Sequence, residues 1–158
     1  MAAASGSEDG RKTSVEAIPF KADPTAAREM ASRASTFAGR GRELYVALDY
    51  SNASIEAADQ LGLRLWDSAP LGLSDVAAEE LRGRLIFELG AYFGETFIRN
   101  HGGRWGWATI YGRRVFALRT DSGFIAFPMT RARKRLQGEE SDSLVTLYLS
   151  LSGPHPAP

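Results

Sequence analysis

The chain has 158 residues, no cysteine, and nineteen basic residues balanced by nineteen acidic ones. Hydrophobic residues make up 44% and charged residues 24%, the proportions of an ordinary globular domain. These counts exclude a disulfide scaffold, a thiolate metal site, a cysteine nucleophile and a wholly disordered chain, and with only His101 and His155 a multi-histidine metal centre is excluded too.

Residues 1–22 are rich in Ala, Ser and Gly, and are expected to form a disordered leader. Val15, Ile18 and Phe20 are its only apolar anchors of any size, and would suit a short extended segment docked on the body. The stretch lacks an apolar h-region, so it does not read as a secretory signal. The body should span 23–152 as a single domain, and 153–158 should be a frayed, proline-rich tail.

Asp23 followed by Pro24 is a helix start, because Asp caps free N–H groups and Pro tolerates the first turn. This first helix should run to about Gly39, with Gly39 and Gly41 as stop signals. Glu43–Leu48 (ELYVAL) fits either a strand or a helical turn. A second helix is expected at about Asn52–Trp66, capped by Ser51 or Asn52. Asp67–Leu73 is a loop. Ser74 should start the main helix, which ends near His101 at Gly102-Gly103 and is about 40 Å long. Leu85, Leu89, Tyr92, Phe93 and Phe97 make it the expected folding core.

The pattern then changes to period two. Arg104–Gly112, Arg113–Asp121 and Gly123–Met129 read as three strands, with turns at Tyr111-Gly112-Arg113 and Asp121-Ser122-Gly123. Thr130–Leu136 reads as a short basic helix, and a last helix begins at Ser141 or Asp142 and ends near Leu151. The expected architecture is α+β: N-terminal helices including one long central helix, a three-stranded antiparallel meander, and two short C-terminal helices.

The segment Gly90–Trp105 (GAYFGETFIRNHGGRW) stands out. It resembles an uncharacterised family of small bacterial domains, common in actinobacteria, with the pattern G-A-Y-x-G-E followed by G-G-x-W. Leu48–Leu61 and the stretch from Arg114 to Tyr148 are similar to the flanking parts of that family. The resemblance implies no reaction, cofactor or catalytic residue. The excess of sixteen Arg over three Lys fits a GC-rich bacterial genome.

Two glycines inside a helix cost about 1 kcal/mol each, so Gly90 and Gly94 should offset that by close packing of a neighbour. Glu95 has two readings. It is either part of a polar stripe with i,i+4 pairs Arg84–Glu88 and Glu95–Arg99 and Arg104 as a second partner, or a carboxylate facing a ligand, in a candidate binding set of Glu95, Arg99, Arg104 and Trp105. His101 reads as a residue that compensates the helix dipole. No acid, base and nucleophile converge by spacing, so no catalytic residue and no cofactor are assigned.

Charge is uneven. Residues 44–98 hold nine acids and three bases, and residues 99–135 hold nine bases and one acid, Asp121. Arg113, Arg114, Arg131, Arg133, Lys134 and Arg135 are expected on one side of the molecule, because the third strand returns its chain to the end where the second begins. Such a patch would attract an acidic protein partner. Internal pairing with the acidic half is the competing reading, and nucleic acid is the alternative partner. The function expected is a non-enzymatic protein-interaction module of the bacterial cytoplasm. An enzyme built on Glu95 is the remaining reading, and no membrane partner is expected.

Overall fold

The structure is a computed structural model, and it describes residues 18–69 and 71–153. The N-terminal 17 residues of the expected leader and the tail from 154 onward lie outside the described residues. Among the described residues, no helix is long and apolar enough to cross a membrane.

In chain order the elements are β1 (Phe20–Ala22), α1 (Pro24–Glu43), α2 (Ser54–Ser68), α3 (Asp75–His101), β2 (Gly103–Ile110), β3 (Arg113–Thr120), β4 (Ile125–Ala126), α4 (Pro128–Leu136) and α5 (Leu144–Ser152). The fold is α+β, as expected, with one antiparallel sheet of four strands in the order β1-β2-β3-β4.

The extra strand corrects the leader boundary and the three-stranded meander, and at Phe20 it is the expected short extended segment docked on the body. Phe20 pairs with Ala108 and Ala22 with Gly106, across 84 or more residues of sequence, so no local pattern announces the pairing. Gly106 is what lets β1 lie so close: a Cβ there would sit 2.2 Å from the Lys21 carbonyl oxygen and 2.7 Å from the Phe20 ring.

Asp23 caps α1 as expected, accepting from the Thr25 and Ala26 N–H groups at 3.1 Å. The helix does not stop at Gly39. It runs on to Glu43, because Gly41 is a packing position: a Cβ there would meet the Val46 carbonyl oxygen at 2.8 Å. The chain turns back over Gly41 through Tyr45, which sits at φ 59°, so past Glu43, the last residue of α1, the ELYVAL stretch is neither strand nor helix.

Helix α2 begins at Ser54, without a side-chain cap. Ser51 offers its carbonyl to the Ser54 N–H, and Asn52 turns its side chain elsewhere, so neither caps as expected. Ser74 does cap α3, and Gly102 ends it at φ 82°.

Leu85, Leu89, Tyr92, Phe93 and Phe97 are all 0–1% exposed. Around them lie Phe37 and Ala34 of α1, Ile55 and Leu61 of α2, Leu136 of α4, Tyr148 of α5, and Trp105 and Leu118 of the sheet. The long helix is therefore the axis of the core. Gly90 and Gly94 explain how α4 and β2 approach it. A Cβ on Gly90 would be 3.1 Å from the Met129 backbone, and one on Gly94 would be 2.1 Å from the Trp105 ring.

Candidate functional site

The expected basic patch does not assemble on one face. Arg135 is not on a binding face. Its guanidinium donates to both oxygens of Asp59 at 3.1 and 2.9 Å, and to the Ser141 carbonyl at 2.6 Å. Asp59 is fully buried and also accepts the Leu144 N–H at 3.0 Å, so this pair joins α2, α4 and the start of α5. Arg131 lies 3.6 Å from Glu140, and Arg133 lies 3.6 Å from Glu139. Lys134 is exposed, with no ion pair among the described residues. Three of the four basic residues of α4 thus face a carboxylate of the fold.

The grouping with Arg113 and Arg114 fails for a second reason. The third strand of the meander, β4, is two residues long instead of seven. It pairs only with Leu118 and Arg119, and Pro128 then opens α4. The chain therefore leaves the sheet about 17 Å short of Arg113.

The ladder of β2 and β3 keeps its charge. Tyr111 and Gly112 both adopt left-handed backbone, φ 49° and 76°, the geometry of a two-residue hairpin turn. A two-residue turn pairs Ile110 with Arg113, and this sets Arg104 directly opposite Arg119. Both side chains are exposed, with no ion pair among the described residues. Like charges in that position repel, so the sheet does not gain from holding them there. Beside them is an open cleft of about 360 Å³, lined by Phe20, Ala22, Arg104, Arg119, Thr120 and Asp121. The Asp121 carboxylate packs on Gly102, where a Cβ would meet its Oδ2 at 2.0 Å, and it pairs with neither arginine.

Glu95, Arg104 and Trp105 do come together. They line a second cleft of about 360 Å³ with Asp23, Pro24 and Ile98, and this cleft shares Ala22 and Arg104 with the first. Glu95 is half-buried and accepts the Trp105 indole N–H at 2.9 Å. Neither expected i,i+4 pair forms. Glu88 is held instead by Arg40 of α1, Nε to Oε1 at 2.5 Å and Nη2 to Oε2 at 3.0 Å, and that pairing raises the Arg40 pKa. Arg99 lies over the Tyr50 ring, 3.6 Å from its centroid. The motif thus has a structural meaning: Gly94 makes room for the Trp105 ring and Glu95 fixes its indole.

Asp23 sits at the same corner. Its Oδ2 accepts the Trp107 indole N–H at 2.9 Å. That hydrogen bond, followed by the one from the Ala26 N–H, lowers the Asp23 pKa below its ordinary value. Both carboxylates of the second cleft are therefore engaged with tryptophan. His101 faces Asn52 Oδ1 at 3.0 Å, which also accepts the Tyr148 hydroxyl, so it ties α3 to the turn before α2 and to α5. No group of three or more potential metal-binding side chains occurs among the described residues.

Sequence reasoning missed Arg119 and Asp23 as site residues. Arg119 was legible in principle. Reading the hairpin turn as two residues, not three, places it opposite Arg104. No protein-family model, curated protein or solved structure matches this chain.

Proposed function

We propose that this chain is a non-enzymatic interaction module, and that the β2–β3 ladder is its contact surface for an acidic segment of a partner protein. One observation carries the reading. Arg104 and Arg119 are held face to face and exposed, at a cost to the sheet, beside a cleft that could seat a carboxylate between them. The stretch 103–120 contains four arginines and no acid, and they outnumber Asp121, Glu95 and Asp23, the carboxylates lining the two clefts, so the net field favours an anion. Membership of the actinobacterial family and a cytoplasmic setting belong to the same proposal. Its support is that the motif residues form one packed corner directly under this surface.

The test uses an oligoglutamate peptide and a single-stranded oligonucleotide as probes. The peptide should bind, with affinity falling as salt rises, and Arg104→Glu with Arg119→Glu should weaken it by about tenfold or more without changing the fold. Tighter binding of the oligonucleotide through the same two arginines would overturn the protein-partner reading in favour of nucleic acid.

A further inference from the structure

The backbone of β3 is left half-paired. Thr120 donates to the Phe124 carbonyl and accepts from the Gly123 N–H, so its polar groups point toward β4. Backbone groups alternate sides along a strand, so Leu118, Phe116 and Arg114 point the same way. Leu118 is served by Ala126. Continuing that register would set Pro128 opposite Phe116, and proline has no N–H to offer. Pro128 begins α4 instead, and the chain departs. Along Arg113–Ala117 no described strand takes the free side, so the N–H and C=O groups of Arg114 and Phe116 line an open edge.

We infer that this edge accepts an extended acidic peptide of the partner as an added antiparallel strand, an inference that rests on the ladder being the contact surface. Main-chain hydrogen bonds would supply the pairing, and side chains on alternate positions the selectivity. The chemistry of the occupant follows from what flanks the edge. Arg113 and Arg114 stand at its hairpin end, both exposed, with Arg114 resting on the Trp107 ring at 4.7 Å. Phe116 and Val115 follow, both half-buried. An antiparallel peptide runs opposite to β3, so its carboxylates should lie at its C-terminal end and its apolar residues before them. Tyr111, 99% exposed in a left-handed conformation at the hairpin tip, lies next to that C-terminal end. A second copy of the chain fits poorly, because edge-to-edge pairing would bring two sets of Arg113 and Arg114 onto one short ladder.

The experiment follows backbone amide exchange by NMR in the full chain. The probe is a peptide of about ten residues, alternating Val and Thr and ending in two Glu at its C-terminus, with a control that carries the same residues in reverse order. In the free protein the Arg114 and Phe116 amides should exchange faster than those of Val115 and Ala117, which face β2. With the peptide at about ten times its Kd, exchange at Arg114 and Phe116 should slow by about tenfold, and the reversed peptide should bind more weakly. Arg114→Thr and Arg114→Pro both remove the charge, but only the second removes the edge donor. The proline variant should bind about tenfold more weakly than the threonine variant.

Binding of oligoglutamate without any protection of these two amides by the Val/Thr peptide overturns strand addition and leaves the acidic contact surface intact. Failure of every acidic peptide at millimolar concentration overturns both. Protection that depends on protein concentration alone assigns the edge to a second copy, and protection by an oligonucleotide assigns it to nucleic acid. Either result overturns the inference.

Discussion

Helix α4 carries Arg131, Arg133, Lys134 and Arg135 within one short element, and the β2–β3 ladder carries Arg104, Arg113, Arg114 and Arg119 along two strands. In sequence the helix is the denser charge. In the fold it is the one that is neutralised, because Asp59 and the Glu139–Glu140 turn stand within reach of it. The ladder has acids near it, Asp121, Glu95 and Asp23, but none of them forms an ion pair with a ladder arginine among the described residues. A charge run is a binding surface only where folding pairs no acid with it, and that depends on tertiary contacts as much as on charge density.

The largest test of this difference is Arg135→Ala. It leaves the Asp59 carboxylate buried without its cation, and should cost about 3–5 kcal/mol in denaturant unfolding. By contrast, the Arg133–Glu139 pair is 3.6 Å long and solvent-exposed, so alanine at Arg133 should cost no more than about 1 kcal/mol. A loss at Arg135 as small as at Arg133 would show that Asp59 stays satisfied by its other partners, and the helix would then be free to bind.

On the ladder the sign should reverse. Arg119→Thr removes a like charge directly opposite Arg104, and places a residue suited to strands there. We expect a gain of about 0.2–1 kcal/mol, read as a higher denaturant midpoint at unchanged slope. A loss would mean that Arg119 is held by a stabilising contact, and that the case for keeping it as a binding group is wrong. Tyr111→Asn should also stabilise, by up to about 1 kcal/mol, since Asn tolerates the left-handed turn better and the Tyr111 ring is fully exposed.

How much of this was legible follows from which contacts are local. The start of α3 at Ser74, its end at Gly102 and its buried face were readable, because caps and helical periodicity act over a few residues. The partners of the charged residues were not. Glu88 finds Arg40 at 48 residues' distance, where the i,i+4 rule proposes Arg84, and Asp59 finds Arg135 at 76. A buried bidentate pair outcompetes an exposed pair on one helix. Gly41 was misread because a glycine that stops a helix and one that admits a crossing chain look alike in sequence. The candidate site was legible in its parts, with Glu95, Arg104 and Trp105 found and brought together. Its centre was lost to a one-residue error in the hairpin turn, which changes the register.

The smallest effect bears on the influence of a ladder arginine, Arg114, on the Asp23 carboxylate. Arg114 and Asp23 interact only through space, and that is the weakest of the influences that lower the Asp23 pKa; the strongest is the Trp107 indole hydrogen bond. A carboxylate with a lowered folded pKa stabilises the fold above its ordinary value of 3.8, and that stability is lost as the pH falls through the lower folded value. Trp107→Phe should therefore raise the Asp23 pKa toward 3.8, as followed by NMR titration of its carboxyl carbon. Arg114→Gln should move it in the same direction by less, and the difference should hold at high salt, where a screened through-space attraction is weakened further. If Arg114→Gln moves the titration as far as Trp107→Phe does, Arg114 is engaged by Asp23 as firmly as Arg135 is by Asp59. The ladder would then be another internally paired surface, and its arginines would no longer be free for a partner.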